Sequence, residues 1–290
     1  MNNKIVQRLL VFFIGLPVII GVVYFKQLNH IALHILIVFM SLMGANELYT
    51  LLSRKYKMQP KPLVLAMNIV PPLFAAVCAV FNIQFTFNDF NGIDFSLLAA
   101  VMVCMAYEVL AMKTFENALS HILTSIFIIL YTGFFITFLS RMTVCDYSRE
   151  YISIFLLMVF LCDSAAWFFG NLFGKNNKGF IKASPNKSIA GFCGGILGSV
   201  VSGLLGWQFL PGAFPTTLPK IIFFGIAISI FSILGDLFES VIKRSVEIKD
   251  SGTLIPGRGG VLDSIDSVVF AVPVFYLGIN FLFASNFVNQ

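Results

Sequence analysis

Residues 234–269 read LGDLFESVIKRSVEIKDSGTLIPGRGGVLDSIDSVV, and this stretch decides how the rest of the chain is understood. Six of the fourteen acidic residues fall inside it: Asp236, Glu239, Glu247, Asp250, Asp263 and Asp266. Among them stand Lys243, Arg244, Lys249 and Arg258, with glycines at 252, 257, 259 and 260. The charge lies between two apolar segments that enter and leave it. On the first, Asp236, Glu239, Ser240 and Lys243 are spaced i, i+3, i+4 and i+7, which puts them on one helical face. On the second, Asp263 and Asp266 share a face at i, i+3. The glycine-rich run between them is unsuited to a helix and offers backbone amides to a ligand. Two acidic faces bracketing a basic glycine loop suit a metal–nucleotide site, where carboxylates hold a divalent ion and cations neutralise phosphate. The alternative is a set of interhelical salt bridges closing a bundle.

Outside this stretch the chain is overwhelmingly apolar. At 58% hydrophobic residues, 11% charged and a mean hydropathy of +0.90, it lies far from the roughly 25% charged residues of soluble domains. An all-α polytopic membrane protein is predicted. Nine segments are long enough to span: 9–25, 29–52, 62–82, 93–112, 118–140, 150–174, 189–210, 218–242 and 262–286. The first has Lys4 and Arg8 ahead of it but no small-residue cleavage site, so it reads as a retained helix rather than a signal peptide. Residues 1–145 are expected to form a scaffold of about five helices, and 146–290 about four helices carrying the site.

Orientation follows from lysine and arginine. With the N-terminus inside, the cytoplasmic segments carry Lys4 and Arg8; Arg54, Lys55, Lys57 and Lys61; Lys113; Lys175, Lys178, Lys182 and Lys187; and Lys243, Arg244, Lys249 and Arg258. Only Lys26, Arg141, Arg149 and Lys220 fall outside, so fifteen of nineteen cations are cytoplasmic. That asymmetry places the N-terminus inside and the C-terminus outside.

The five cysteines, Cys78, Cys104, Cys145, Cys162 and Cys193, make no CxxC pair and indicate neither a disulfide framework nor a zinc site. His30, His34 and His121 lack metal-ligand spacing to a third donor. Glu47 and Glu108 lie within apolar segments and are functional candidates because burying them is costly, or else they pair with other buried polar groups. Pro71 and Pro72 should kink the third segment.

Asp163 stands alone in FLLMVFLCDSAAWFFGNLFGK (155–175), with Ser164 beside it and Trp167 one turn on. The loop that follows, GKNNKGFIKASPNKSIAGFCGG (174–195), has the lysines, glycines and Ser184–Ser188 turn of an anion-binding loop, or is ordinary positive-inside decoration. Two small-residue stripes then run along one segment: Gly191, Gly195, Ser199 and Gly203 beside Gly194, Gly198, Ser202 and Gly206. They let helix backbones approach closely in lipid and carry no chemistry.

Residues 240–266 resemble the signature of the phosphatidate cytidylyltransferase (CDP-diacylglycerol synthase) family, S-x-x-K-R-x4-K-D-x-G-x3-P-G-H-G-G-x2-D-R-x-D. Ser240, Lys243, Arg244, Lys249, Asp250, Gly252, Pro256, Gly257, Gly259, Gly260, Asp263 and Asp266 match. The upstream GDLFES, the Asp163-Ser164 helix and the SPNKS loop fit the same pattern and order, and Asn46-Glu47-Leu48-Tyr49 gives a weaker match. Arg258 replaces the family's histidine and Ser264 replaces its arginine, so Arg258 is expected to supply the charge that position 264 usually provides.

The resemblance implies a nucleotidyltransferase of phospholipid biosynthesis, condensing CTP and phosphatidic acid to CDP-diacylglycerol and pyrophosphate in the cytoplasmic (inner) membrane. Asp236 and Asp263 would hold Mg2+, with K+ as a second ion, and these aspartates with Lys243 and Lys249 would be catalytic. Substrate contacts would come from Asp163, Ser184, Lys187, Ser188, Glu239, Arg244, Asp250, Arg258 and Asp266. No nucleic acid partner is implied, and a homodimer is the candidate assembly. A CTP-dependent polyprenol or dolichol kinase is the alternative within the same chemistry. An ion-coupled secondary transporter is the alternative from another class, although the acids cluster in one half of the chain and no internal repeat is seen.

Overall fold

The computed structural model describes residues 14–15, 17–87, 90–252, 254–255 and 259–282. Among them, eight helical spans are long and apolar enough to cross a membrane. Residues 14, 15 and 17–24 are also helical, and the remainder of the first expected segment lies outside the described residues. The spans are α1 (Ile31–Leu52), α2 (Lys61–Phe81), α3 (Gly92–Ala111), a composite of α4 (Ala118–Ile128), a π-helical turn (Ile129–Phe134) and α5 (Thr137–Met142), then α6 (Ser148–Phe173), α7 (Ile189–Phe209), α8 (Leu218–Ser245) and α9 (Leu262–Leu282). One short hairpin, β1 (Thr86–Phe87) with β2 (Phe90–Asn91), precedes α3. Many large apolar side chains remain outward-facing, Phe281 at 87% and Leu110 at 85% exposure among them. In water that would be untenable. In hydrocarbon the outer face needs no polar residues, which is why hydropathy rather than amphipathic periodicity marks these helices.

The chain divides into two compact units. The first comprises 1–144 with 246–265, the second 145–245 with 266–290. The chain passes from one to the other inside α9, between Ile265 and Asp266.

In the first unit, buried polar groups are paired rather than solvated, as hydrocarbon demands. Asn68 of α2 donates to the hydroxyl of Ser41 (2.9 Å), and its carbonyl accepts from Thr132 (2.9 Å) in the π-helical turn. Beside them Gly133 lies so close to α2 that a Cβ there would sit 2.6 Å from the Asn68 backbone oxygen. Glu108 is 2.8 Å from Nδ1 of His121 and accepts from Gln59 (3.0 Å), so it belongs to a buried structural network. His34 likewise lies within hydrogen-bond reach of Ser140 and Thr143. α2 runs through Pro71 and Pro72 as one helix.

In the second unit, all eight small residues of the two stripes on α7 are buried. A Cβ at Gly198 would stand 2.5 Å from the carbonyl oxygen of Leu161, and one at Gly194 2.6 Å from Cβ of Phe169. The stripes therefore carry the α6–α7 contact. α8 meets α9 the same way, a Cβ at Gly235 falling 2.6 Å from the carbonyl oxygen of Asp266. None of the five cysteines forms a disulfide, and burial, with Asp146 nearby, pushes the Cys145 thiol up to about 12. Such a thiol is inert at neutral pH.

Candidate active site

The site residues fall into two clusters, one in each unit. The first is built on the loop after α8. Its glycines have separate reasons. Gly259 has φ +112°, closed to a side chain without strain, and exchanges two backbone hydrogen bonds with Ile255 (2.8 and 3.0 Å). Gly252 and Gly260 leave room for a carboxylate: a Cβ at Gly252 would lie 2.5 Å from Oε1 of Glu47, and one at Gly260 would collide with Oε2. Glu47, only 9% exposed on α1, accepts from the backbone N–H of Val261 (2.9 Å) and of Leu262 (2.8 Å), and from the Ser251 hydroxyl (3.1 Å). These amides open α9 and have no partner within the helix, so a carboxylate there satisfies them and complements the helix dipole. Oδ2 of Asp263 accepts from Gly260 N–H (2.7 Å), the Ser251 hydroxyl (2.8 Å) and Ser251 N–H (3.0 Å).

The second cluster gathers on α6, α8, α9 and the loop before α7. Glu239, 1% exposed, pairs with Lys243 one turn on (2.7 Å), as the i, i+4 spacing predicts. Asp236 on the same helix pairs with Lys187 at 2.6 Å. The loop that brings Lys187 there is tied by backbone bonds from Lys187 to Ser184 (3.1 Å), from Gly179 to Lys187 (3.4 Å) and from Ile189 to Asn177 (3.1 Å). Lys187 also stands 5.9 Å from the ring centre of Phe192. Asp266 is buried, its Oδ1 accepts from Ser267 N–H (2.6 Å), and Asp236, Glu239 and Asp163 lie within its electrostatic reach.

The structure thus brings together Asp163, Lys187, Asp236, Glu239, Lys243 and Asp266 in the second unit, and ties Asp263 to the loop in the first. Ser188 is the N-cap of α7, its hydroxyl accepting from Gly191 N–H at 3.1 Å. Ser184 sits in the turn, its N–H donating to Ile181 at 3.2 Å. Arg244, Lys249 and Asp250 are exposed at and beyond the end of α8. Arg258 lies outside the described residues, whereas the Ser264 hydroxyl donates to the Gly260 carbonyl (3.3 Å). Trp167, expected beside Asp163, is 71% exposed on α6. Sequence reasoning left Glu47 undecided. The available signal was a lone glutamate in one apolar helix and, some two hundred residues on, a glycine loop opening a helix with no capping side chain of its own.

The profile of the Cytidylyltransferase family matches residues 6–282. The chain belongs to that family. Similar proteins include phosphatidate cytidylyltransferases of Bacillus subtilis (34% identical over 196 residues, 67% of this chain and 71% of the relative), Staphylococcus saprophyticus (35% over 181 residues, 62% and 66%) and Helicobacter pylori strain 26695 (41% over 126 residues, 43% and 45%). A hard divalent cation such as Mg2+ could be held here. The second unit's donors suit it: four carboxylates face only two lysines, and all are hard oxygen ligands. Among the described residues no three acidic, histidine or cysteine groups stand close enough to hold an ion alone.

Proposed function

We infer that this chain is a CTP:phosphatidate cytidylyltransferase, making CDP-diacylglycerol and pyrophosphate from CTP and phosphatidic acid in the cytoplasmic membrane. The observation that carries the reading is the Lys187–Asp236 and Lys243–Glu239 arrangement beside Asp266, in a chain whose family is the cytidylyltransferases. An excess of carboxylates flanked by mobile ammonium groups suits a polyphosphate that arrives with its own cation.

The phosphate monoester of the lipid is already an anionic nucleophile, so no dedicated general base is required. One of its oxygens attacks the α-phosphorus of CTP, a new P–O bond forms, and the bond to the β-phosphate oxygen breaks, releasing pyrophosphate. What the protein supplies is alignment and charge. Lys187 and Lys243 exchange their carboxylate partners for phosphate oxygens as substrate enters. Asp236 in the second unit is assigned as a Mg2+ ligand, and Asp263 at the signature loop is assigned separately as a metal-binding carboxylate; a bound ion would supply charge neutralisation on the phosphates. Arg244, Lys249 and Asp250 are assigned to phosphate and headgroup contacts at the aqueous end, and Asp163 to the inner wall. The cation asymmetry supports a cytoplasmic position for both loops, where CTP is available. The test supplies the solubilised protein with CTP labelled at the α-phosphate. Label should enter the lipid phase only when phosphatidate is present.

A further inference from the structure

Glu47 is a buried acidic group of the first unit that the reaction above does not use. Both its oxygens are committed: Oε1 to Val261 N–H, Oε2 to Leu262 N–H and the Ser251 hydroxyl. That hydroxyl also lies 2.8 Å from Oδ2 of Asp263. One side chain on α1 thus holds the first amides of α9 and, across Ser251, touches the environment of the aspartate two residues into that turn. The two loop glycines that face Glu47 tighten the case, since any side chain at 252 or 260 would meet its carboxylate.

We propose that Glu47 is a positioning residue for cytidylyl transfer, fixing the backbone at Ser251, Val261 and Leu262 and thereby the direction in which Asp263 presents its carboxylate. This rests on the reading of Asp263 as a working residue of that reaction. The chemistry is specific to a carboxylate. Two separate N–H donors point at two separate oxygens, so a glutamine must turn its NH2 toward one of them, although it matches glutamate in size. Aspartate keeps the charge but is one methylene short.

The test compares the full-length solubilised protein with Glu47→Gln, Glu47→Asp and Glu108→Gln. The last alters a buried glutamate of the same unit whose hydrogen bonds go to Gln59 and His121. Three quantities are read: kcat and KM for both substrates, thermal midpoint, and amide hydrogen exchange by peptide. Glu47→Gln is expected to lower kcat by about tenfold or more, a barrier increase of roughly 1.4 kcal/mol, with both KM values within about threefold. Exchange should rise over 251–262 and stay unchanged in α2 and α3. Glu47→Asp should fall between Glu47→Gln and the unsubstituted protein, and Glu108→Gln should leave exchange in the loop unchanged. A Glu47→Gln protein with kcat within twofold overturns the proposal. So does loop exchange equal to the wild type, or a rise spread evenly through the unit. If Glu47→Gln does not fold, Glu47→Asp decides: loop exchange and kcat both equal to those of the unsubstituted protein would refute the proposal. An unsubstituted protein that does not transfer cytidylyl sinks the functional reading and the catalytic role of Glu47 with it. An active one leaves Glu47 to be judged on exchange and kcat.

Discussion

Nζ of Lys187 lies 2.6 Å from Oδ2 of Asp236, joining the loop before α7 to the first residue of the acidic face of α8. Both side chains are partly open, at 25% and 38% exposure. Pairs so exposed contribute at most about 1 kcal/mol to stability. Asp236→Asn is therefore expected to abolish turnover while shifting the thermal midpoint by no more than a few degrees. Activity in phosphatidate–detergent micelles and a melting curve check this together. A variant retaining more than about a tenth of wild-type rate, a loss under roughly 1.4 kcal/mol, would remove Asp236 from the working residues.

Asp263→Asn should behave differently. Its Oδ2 accepts three hydrogen bonds that shape the signature loop, and bonds to a charged acceptor are about twice as strong as neutral ones. Turnover should be lost and the loop loosened as well, read as faster tryptic cleavage after Lys249, which is exposed in the native protein. Cleavage at the wild-type rate in Asp263→Asn would show that the loop does not depend on that charge.

Much of this was legible in the sequence. The eight described spans start and stop within a few residues of the expected segments, because a run of about twenty apolar residues is a strong signal. Where both ends are described the largest difference is α8, which continues through Lys243 and Arg244 to Ser245, because an amphipathic last turn is polar enough to end a hydropathy window without ending the helix; the expected end of α9 at 286 lies outside the described residues. The Glu239–Lys243 pair also follows from spacing alone. Lys187 meeting Asp236, and Glu47 meeting residues more than two hundred positions away, have no periodic trace. They depend on how helices pack, which one sequence does not encode in local pattern. Ser188 is ambiguous for another reason: a serine before a helix suits both phosphate binding and capping, and the structure shows its hydroxyl capping α7.

The stripes on α7 give a stability prediction. Gly198→Ala places a Cβ 2.5 Å from the backbone oxygen of Leu161, which cannot move without shifting α6. Gly206→Ala meets only side-chain atoms of Ile154 and Phe214, at 3.1 Å or more. Gly198→Ala should destabilise by about 1–3 kcal/mol and Gly206→Ala by clearly less, measured as thermal midpoints in one detergent. Equal shifts would mean that the α6–α7 contact does not depend on backbone approach at Gly198.

Cysteine labelling tests the orientation. In an otherwise cysteine-free background, Lys182→Cys is expected to resist an impermeant maleimide in intact cells and react once the membrane is opened, because the four lysines of its loop favour the cytoplasmic side. Reaction from outside would invert the topology.

The central claim is cytidylyl transfer, and two labels on one substrate test it most directly. The purified protein is given phosphatidate with CTP carrying 32P at the α-phosphate, and in parallel with CTP carrying it at the γ-phosphate. A cytidylyltransferase sends the α-label into the lipid as CDP-diacylglycerol and leaves the γ-label in water as pyrophosphate. Transfer of the γ-label to lipid, or of neither label, would contradict the account.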